Sequence, residues 1–152
     1  MTSNPSAIRR LFIANRGEIA VRVVHACRTL GIECVAGVSE ADTVSLAARL
    51  ANSHEVIGPA RAADSYLNAE RVIAAALRSR CNAVHPGYGF LSERASFAKA
   101  CAAAGLLFVG PSPPAIEQMG DKITAIKTAE GAGVPCVPGT GAIGNAEAAR
   151  DA

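Results

Sequence analysis

Apolar and polar positions follow two rhythms along this chain. Short apolar runs alternate with longer stretches in which apolar residues recur every three or four positions. Leu11-Phe12-Ile13-Ala14 is the first run and predicts a strand. From Glu18 to Leu30, the residues Ile19, Val23, Ala26, Cys27 and Leu30 fall at helical spacing. Glu18 suits the positive end of that helix, and Gly31 can take the left-handed conformation that stops it. Glu33 to Val38 predicts a second strand, and Asp42 is the expected cap of a helix over about 44–51. Glu55-Val56-Ile57 is a third strand, and Asn68 is placed to cap a helix over 69–78. Asn82-Ala83-Val84 is a fourth. Leu91 to Ala104 follows as a helix, with Ser92 as its candidate cap and Glu93 in its first turn, and Gly105 stops it. Leu106 to Val109 is a fifth strand. Two further helices are expected over 114–119 and about 122–131, before the Pro/Gly-rich stretch VPCVPGTGAIG.

Strands separated by helices imply right-handed parallel crossovers. The predicted fold is α/β, a doubly wound parallel sheet. In such sheets the loops at the carboxyl ends of the strands carry function. NRGE, HPGYG and GPSPP all occupy such ends.

Composition narrows the picture. Half of the 152 residues are hydrophobic but only 4% are aromatic, so the core is expected to be built mainly from Ala, Val, Leu and Ile. That leaves no aromatic platform for stacking nucleic-acid bases. The net charge of +2 gives no strong attraction to nucleic acid or an anionic membrane. The five cysteines are odd in number and lack CxxC spacing, which argues against a disulfide framework or a zinc site. Cys27, Cys34, Cys101 and Cys136 lie in apolar patterns and are expected to be buried, as in a reducing cytoplasm. No apolar stretch is long enough to span a bilayer, and residues 1–7 read as a polar, flexible lead-in without a signal peptide.

Three segments carry candidate chemistry. NRGE enters a helix after the first strand, where a dinucleotide fold grips pyrophosphate. That grip needs the glycines of GxGxxG, and only Gly17 is present, so Arg16 and Glu18 are expected to pair with neighbouring structure. HPGYGFLSE is a thin loop. Pro86 restrains it, Gly87 and Gly89 permit close backbone approach, and Tyr88 stands between them. Two readings stay open for it: a pocket lining, or a rigid strand-to-helix turn. His85 is expected to be structural. In GPSPPAIEQMGDK, Lys122 near a helix start could meet a phosphate. There is no GxxxxGK[ST] loop, no evident magnesium-binding carboxylate pair and no GxSxG elbow.

The strings FIANRGEIAVRVVHACRTLGI, SEAD, SYLN, HPGYGFLSE, FVGPSP, MGDK and GVPCVPG occur in the order and spacing of the biotin carboxylase family. The resemblance runs from Ile8 to about Gly141. The family includes the biotin carboxylase parts of acetyl-CoA, propionyl-CoA, pyruvate and urea carboxylases. The resemblance implies ATP- and bicarbonate-dependent carboxylation of biotin, through carboxyphosphate and with Mg²⁺. The biotin is borne by a carrier protein or domain, and a carboxyltransferase then uses it, as in fatty-acid synthesis. It also implies a Rossmann-like pre-ATP-grasp domain over 8–118 and the start of an ATP-grasp segment over 119–152. Lys122 matches an ATP-contacting lysine. Tyr88, Gly89 and Phe90 match a loop near the biotin and bicarbonate pocket. Arg22 lies on a helix used in homodimer contacts.

The catalytic and metal-binding residues of the family are expected beyond Ala152, so this chain alone is expected to be inactive. Arg94, Thr43 and Asn52-Ser53 depart from the family's usual residues, at positions read as loop or surface. Two other readings remain: a non-catalytic dimerisation or regulatory module, or the amino-terminal domain of another ATP-grasp ligase.

Overall fold

A computed structural model describes residues 8–120 and 122–137. The expected lead-in over 1–7 and the tail beyond 137 lie outside the described residues. The chain divides into two compact units, residues 1–113 and 114–152.

The first unit is a parallel sheet of five strands in the order β3-β2-β1-β4-β5. The strands are β1 (Arg10–Ile13), β2 (Glu33–Ser39), β3 (Ser53–Gly58), β4 (Ala83–His85) and β5 (Leu107–Phe108). Its helices are α1 (Gly17–Leu30), α2 (Leu46–Leu50), α3 (Ala69–Arg78) and α4 (Ala95–Ala103). Every pairing is parallel, with Leu11 beside Cys34 and Ala83, and Phe12 beside Val35 and Val84.

Side chains alternate across the strands, so neighbours in register share a face. Phe12, Val35 and Val84 join Val72, Ala75 and Ala76 of α3 and Phe97 and Cys101 of α4 in one core. Leu11, Ile13, Cys34 and Ala83 join Ala20, Val23, Val24 and Cys27 of α1 and Ala47 of α2 in the other. Gly37 lies inside β2 because a Cβ there would stand 2.7 Å from the buried Phe12 ring.

Three expectations need correction. Asp42 does not cap a helix: it closes a 3₁₀ turn over Glu40–Asp42, and its carboxylate is taken up by the Ser39 and Tyr66 hydroxyls. Ser45 caps α2 instead, its side chain accepting from the Ala48 amide. The helix expected from Leu91 begins only at Ala95. Ser92 and Arg94 donate their amides to Gly89 and Leu91 in a preceding turn, and Leu91 is spent as a fully buried plug, so neither Ser92 nor Glu93 starts a helix. Cys136 is half-buried and lies in no strand, whereas Cys27, Cys34 and Cys101 are buried as expected. Burial pushes the Cys27, Cys81 and Cys101 thiols up to about 11, which keeps them protonated.

Asn52 and Ser53 are more than surface positions. Asn52 accepts from the Cys34 amide, and Ser53 accepts from Arg10 as it opens β3. The Gly31 stop of α1 and the Asn68 cap of α3 stand as read, with Asn68 accepting from the Arg71 amide at 3.0 Å.

The second unit holds α5 (Pro113–Gly120) and α6 (Lys122–Gly131). Gln118 donates to Thr128 across this pair. Among the described residues no helix is long and apolar enough to cross a membrane.

Candidate functional site

The strand order reverses between β1 and β4, which makes the crevice beyond their carboxyl ends the switch point of the sheet. Ile13 pairs with His85, and the Ala14 amide donates to the His85 carbonyl at 3.0 Å. The NRGE turn and the HPGYG loop therefore leave the sheet side by side.

Asn15 is the first residue past β1 and is 1% exposed. Its Nδ2 donates to the Pro86 carbonyl at 2.7 Å and to the Tyr88 carbonyl at 2.9 Å. Its Oδ1 accepts from the Arg16 amide at 2.8 Å. Two carbonyls facing one end and an N–H facing the other allow the carboxamide a single orientation. Gly87 turns between the two carbonyls with φ +67°. A Cβ there would stand 2.6 Å from Ile19 and 2.7 Å from the Asn15 amide nitrogen. Glycine is required here both for the left-handed backbone and for the closeness of the two loops. The Gly87 amide donates to His85 Nδ1 at 3.0 Å, which gives the half-buried imidazole a structural task. Burial holds His85 below its ordinary value, so the neutral ring that accepts this bond is favoured.

Tyr88 stands out from the loop at 64% exposure, and its hydroxyl donates to Glu18 at 2.9 Å. That bond, with the Glu18 charge, holds the phenol above its ordinary value. Phe90 takes φ +47°, uncommon for a residue with a side chain. Its ring stacks on the fully buried Tyr66 at 5.3 Å between centroids, and the Arg16 guanidinium lies 5.6 Å from both rings.

Below this stack Tyr66 ties in the end of β2. Its hydroxyl accepts from the Ser39 amide at 3.0 Å and donates to Asp42 at 2.7 Å, and Ser39 Oγ also donates to Asp42. Burial alone would raise Asp42. The two hydroxyl hydrogen bonds and the Arg16 charge outweigh it and hold the carboxyl below its ordinary value. Burial pushes the Tyr66 phenol up to about 12.

Arg16 and Glu18 thus pair with neighbouring structure, as the missing glycines led one to expect. Tyr88, Gly89 and Phe90 lie together at the switch-point crevice. Arg22 is exposed on α1 and lines, with Glu18, Tyr88 and Leu30, an apolar groove of about 600 Å³. Lys122 opens α6 in the second unit. Among the described residues no group of three or more His, Cys, Asp or Glu could hold a metal ion.

Sequence reasoning passed over Asn15, Tyr66, Ser39 and Asp42 as parts of this site. The signal for Asn15 was a carboxamide directly after an apolar strand, where burial demands partners. Ser39 and Tyr66 stood inside the strings SEAD and SYLN, quoted only for their resemblance, and Asp42 was read only as a helix cap.

A doubly wound parallel sheet with its loops gathered at the switch point defines a Rossmann-like α/β domain. The chain belongs to the biotin carboxylase N-terminal domain family, which it matches over residues 7–116. Biotin carboxylase 1 of Bacillus subtilis is 51% identical over 143 residues, which are 93% of this chain and 32% of that protein. The mitochondrial methylcrotonoyl-CoA carboxylase subunit alpha of Oryza sativa subsp. japonica is also 51% identical, over 88% of this chain and 18% of its own length. Among solved structures, a biotin carboxylase–βγ-ATP complex from Campylobacter jejuni superposes with a TM-score of 0.89 at 43% identity, covering 98% of this chain and 34% of that one. The biotin carboxylase domain dimer of Hydrogenobacter thermophilus 2-oxoglutarate carboxylase, in complex with MgADP, ADP and bicarbonate, gives 0.85 at 42%, covering 95% and 32%. The chain spans about a third or less of the length of these relatives.

Proposed function

We propose that this chain forms the amino-terminal part of a biotin carboxylase. The complete enzyme would use ATP and bicarbonate to carboxylate biotin borne on a carrier protein or domain, and a carboxyltransferase would then consume the product. The match over residues 7–116, with HPGYG set at the switch-point crevice, is the observation that carries this reading. In it, the Tyr88–Gly89–Phe90 loop lines the biotin and bicarbonate pocket. Lys122, at the head of α6, contacts ATP phosphates through its charge. Residues 119–152 open the ATP-grasp region. Arg22 contributes to a homodimer contact along α1. ATP is the nucleotide and Mg²⁺ its metal, with its ligands expected outside this segment, since no group of three or more His, Cys, Asp or Glu among the described residues could hold it. The working place is the cytoplasm, in keeping with four buried free thiols.

Relatives equally similar to this chain serve differently named carboxylases. The final acceptor is therefore set outside this segment.

A chimera tests the reading. Residues 8–137 replace the matching segment of Bacillus subtilis biotin carboxylase 1, and biotin- and bicarbonate-dependent ADP formation is measured. Turnover is expected in the chimera and none in the 152-residue chain alone. A folded chimera without biotin-dependent turnover refutes the proposal. Within the active chimera, Lys122→Ala is expected to weaken ATP binding by about 1.5–3 kcal/mol, read from the apparent KM for ATP.

A further inference from the structure

In a dinucleotide-binding fold the turn after the first strand holds a phosphate with its own backbone amides. Here the polar groups of that turn are directed at a neighbouring loop. Asn15 spends both carboxamide hydrogens on the Pro86 and Tyr88 carbonyls and takes the Arg16 amide on its oxygen. Glu18 receives the Tyr88 hydroxyl. Arg16 covers the ring of Phe90. Three residues of one turn therefore reach three residues of the HPGYGF loop.

Asn15 is the only one of the three that is buried, and its two accepting carbonyls flank Gly87. Without donors there, the buried Pro86 carbonyl and the part-buried Tyr88 carbonyl would face an empty or repulsive partner, at the point where Gly87 lies against Ile19.

We propose that Asn15 is a positioning residue for the pocket loop: its carboxamide fixes the height and curvature of Tyr88–Gly89–Phe90, and through them the shape of the acceptor pocket. This rests on the loop's assignment as a pocket lining under the proposed function. The structural half of the inference does not.

Two substitutions separate hydrogen-bond positioning from simple space filling. Asn15→Asp keeps the volume but replaces the donors with oxygens facing two carbonyls. Asn15→Ala removes volume and donors together but adds no repulsion. Space filling ranks Ala as the worse variant, and donor positioning ranks Asp as the worse.

In the 152-residue chain, hydrogen exchange of the amides of residues 87–92 is expected to quicken about tenfold in Asn15→Asp and less in Asn15→Ala. The amides of β1 and β2 should keep their protection. Unchanged loop exchange in Asn15→Asp, or a larger effect in Asn15→Ala, overturns the proposal. Should Asn15→Asp fail to fold, Asn15→Leu, which keeps the volume but has no donors, takes its place: faster loop exchange with an intact sheet supports the role, and unchanged exchange refutes it.

In the active chimera, Asn15→Asp is expected to raise the KM for biotin by about tenfold or more and leave the KM for ATP unchanged. Equal losses for both substrates overturn the role in the pocket. A wild-type chimera without biotin-dependent turnover sinks the proposed function instead, and the exchange experiment still decides what Asn15 does to the loop.

Discussion

On the face of the sheet covered by α3 and α4, the core is filled with rings. Phe12, Tyr66 and Phe97 are buried there, with Phe90 and Phe108 packed against them. Phe97 meets Phe108 edge to face at 6.0 Å. On the face covered by α1 and α2 no aromatic residue is buried. Leu11, Ile13, Val23 and Val24 do the filling, and Ala20, Ala47 and Ala83 let the helices come close. The protein has four Phe and two Tyr, and five of these six residues belong to the first face. The sixth, Tyr88, stands exposed on the loop. The small-residue face leaves an apolar groove beside α1, whereas the aromatic face extends into the stack that carries Phe90. Low aromatic content thus hides an uneven distribution: the few rings sit where a loop has to be held.

Truncating the aromatic face is the strongest way to break this contrast. Phe12→Ala is expected to cost about 3–5 kcal/mol in denaturant unfolding, because a fully buried ring leaves a cavity between strands that cannot collapse. Gly37→Ala attacks the same ring from the other side. Its Cβ would press on Phe12, and a loss of about 1–3 kcal/mol is expected. That loss should shrink in a Phe12→Leu background; additive effects in this double-mutant cycle would place the strain elsewhere.

Tyr66→Phe keeps the ring but strands the buried Ser39 amide, at an expected cost of about 1–3 kcal/mol. It should also alter acid sensitivity. Asp42 is held below its ordinary 3.8 in the folded protein, so it contributes stability above that value and loses it as pH falls through the lowered one. Unfolding curves between neutral pH and pH 3 should fall less steeply in Tyr66→Phe than in the wild type. Parallel curves would exclude Asp42 as the source. On the rim of the groove, Leu30→Lys should shift the unfolding free energy by less than about 0.5 kcal/mol, since Leu30 is 71% exposed. A larger loss there would mean that the small-residue face is closed after all.

Every strand of the sheet was legible in the amino-acid pattern, because a buried parallel strand is a short apolar run bounded by turn residues. Helix starts were less so. Asp42 is as good a cap as Ser45 by type, and only the arrival of Tyr66, 24 residues later, takes its carboxylate away. Leu91 continues the periodicity of α4, yet the turn closed by Ser92 and Arg94 delays the helix to Ala95. The loop of the candidate site was visible through its prolines and glycines. Asn15 carried only the hint of a carboxamide behind an apolar strand, because the partners that give it a role lie more than seventy residues away.

That separation sets the order in which the crevice can assemble. β1 pairs with β2 after a short excursion through α1, but its other neighbour, β4, lies beyond β3 and α3. Joining Asn15 to Pro86 closes a loop of 71 residues, an entropy cost on the order of 4 kcal/mol, which no pair of hydrogen bonds meets unaided. During synthesis the first strand, its helix and the two strands beyond it must emerge before the partner loop exists. In refolding, the amides of β1 and β2 should gain protection before those of residues 87–92. The crevice is thus a late product of the fold.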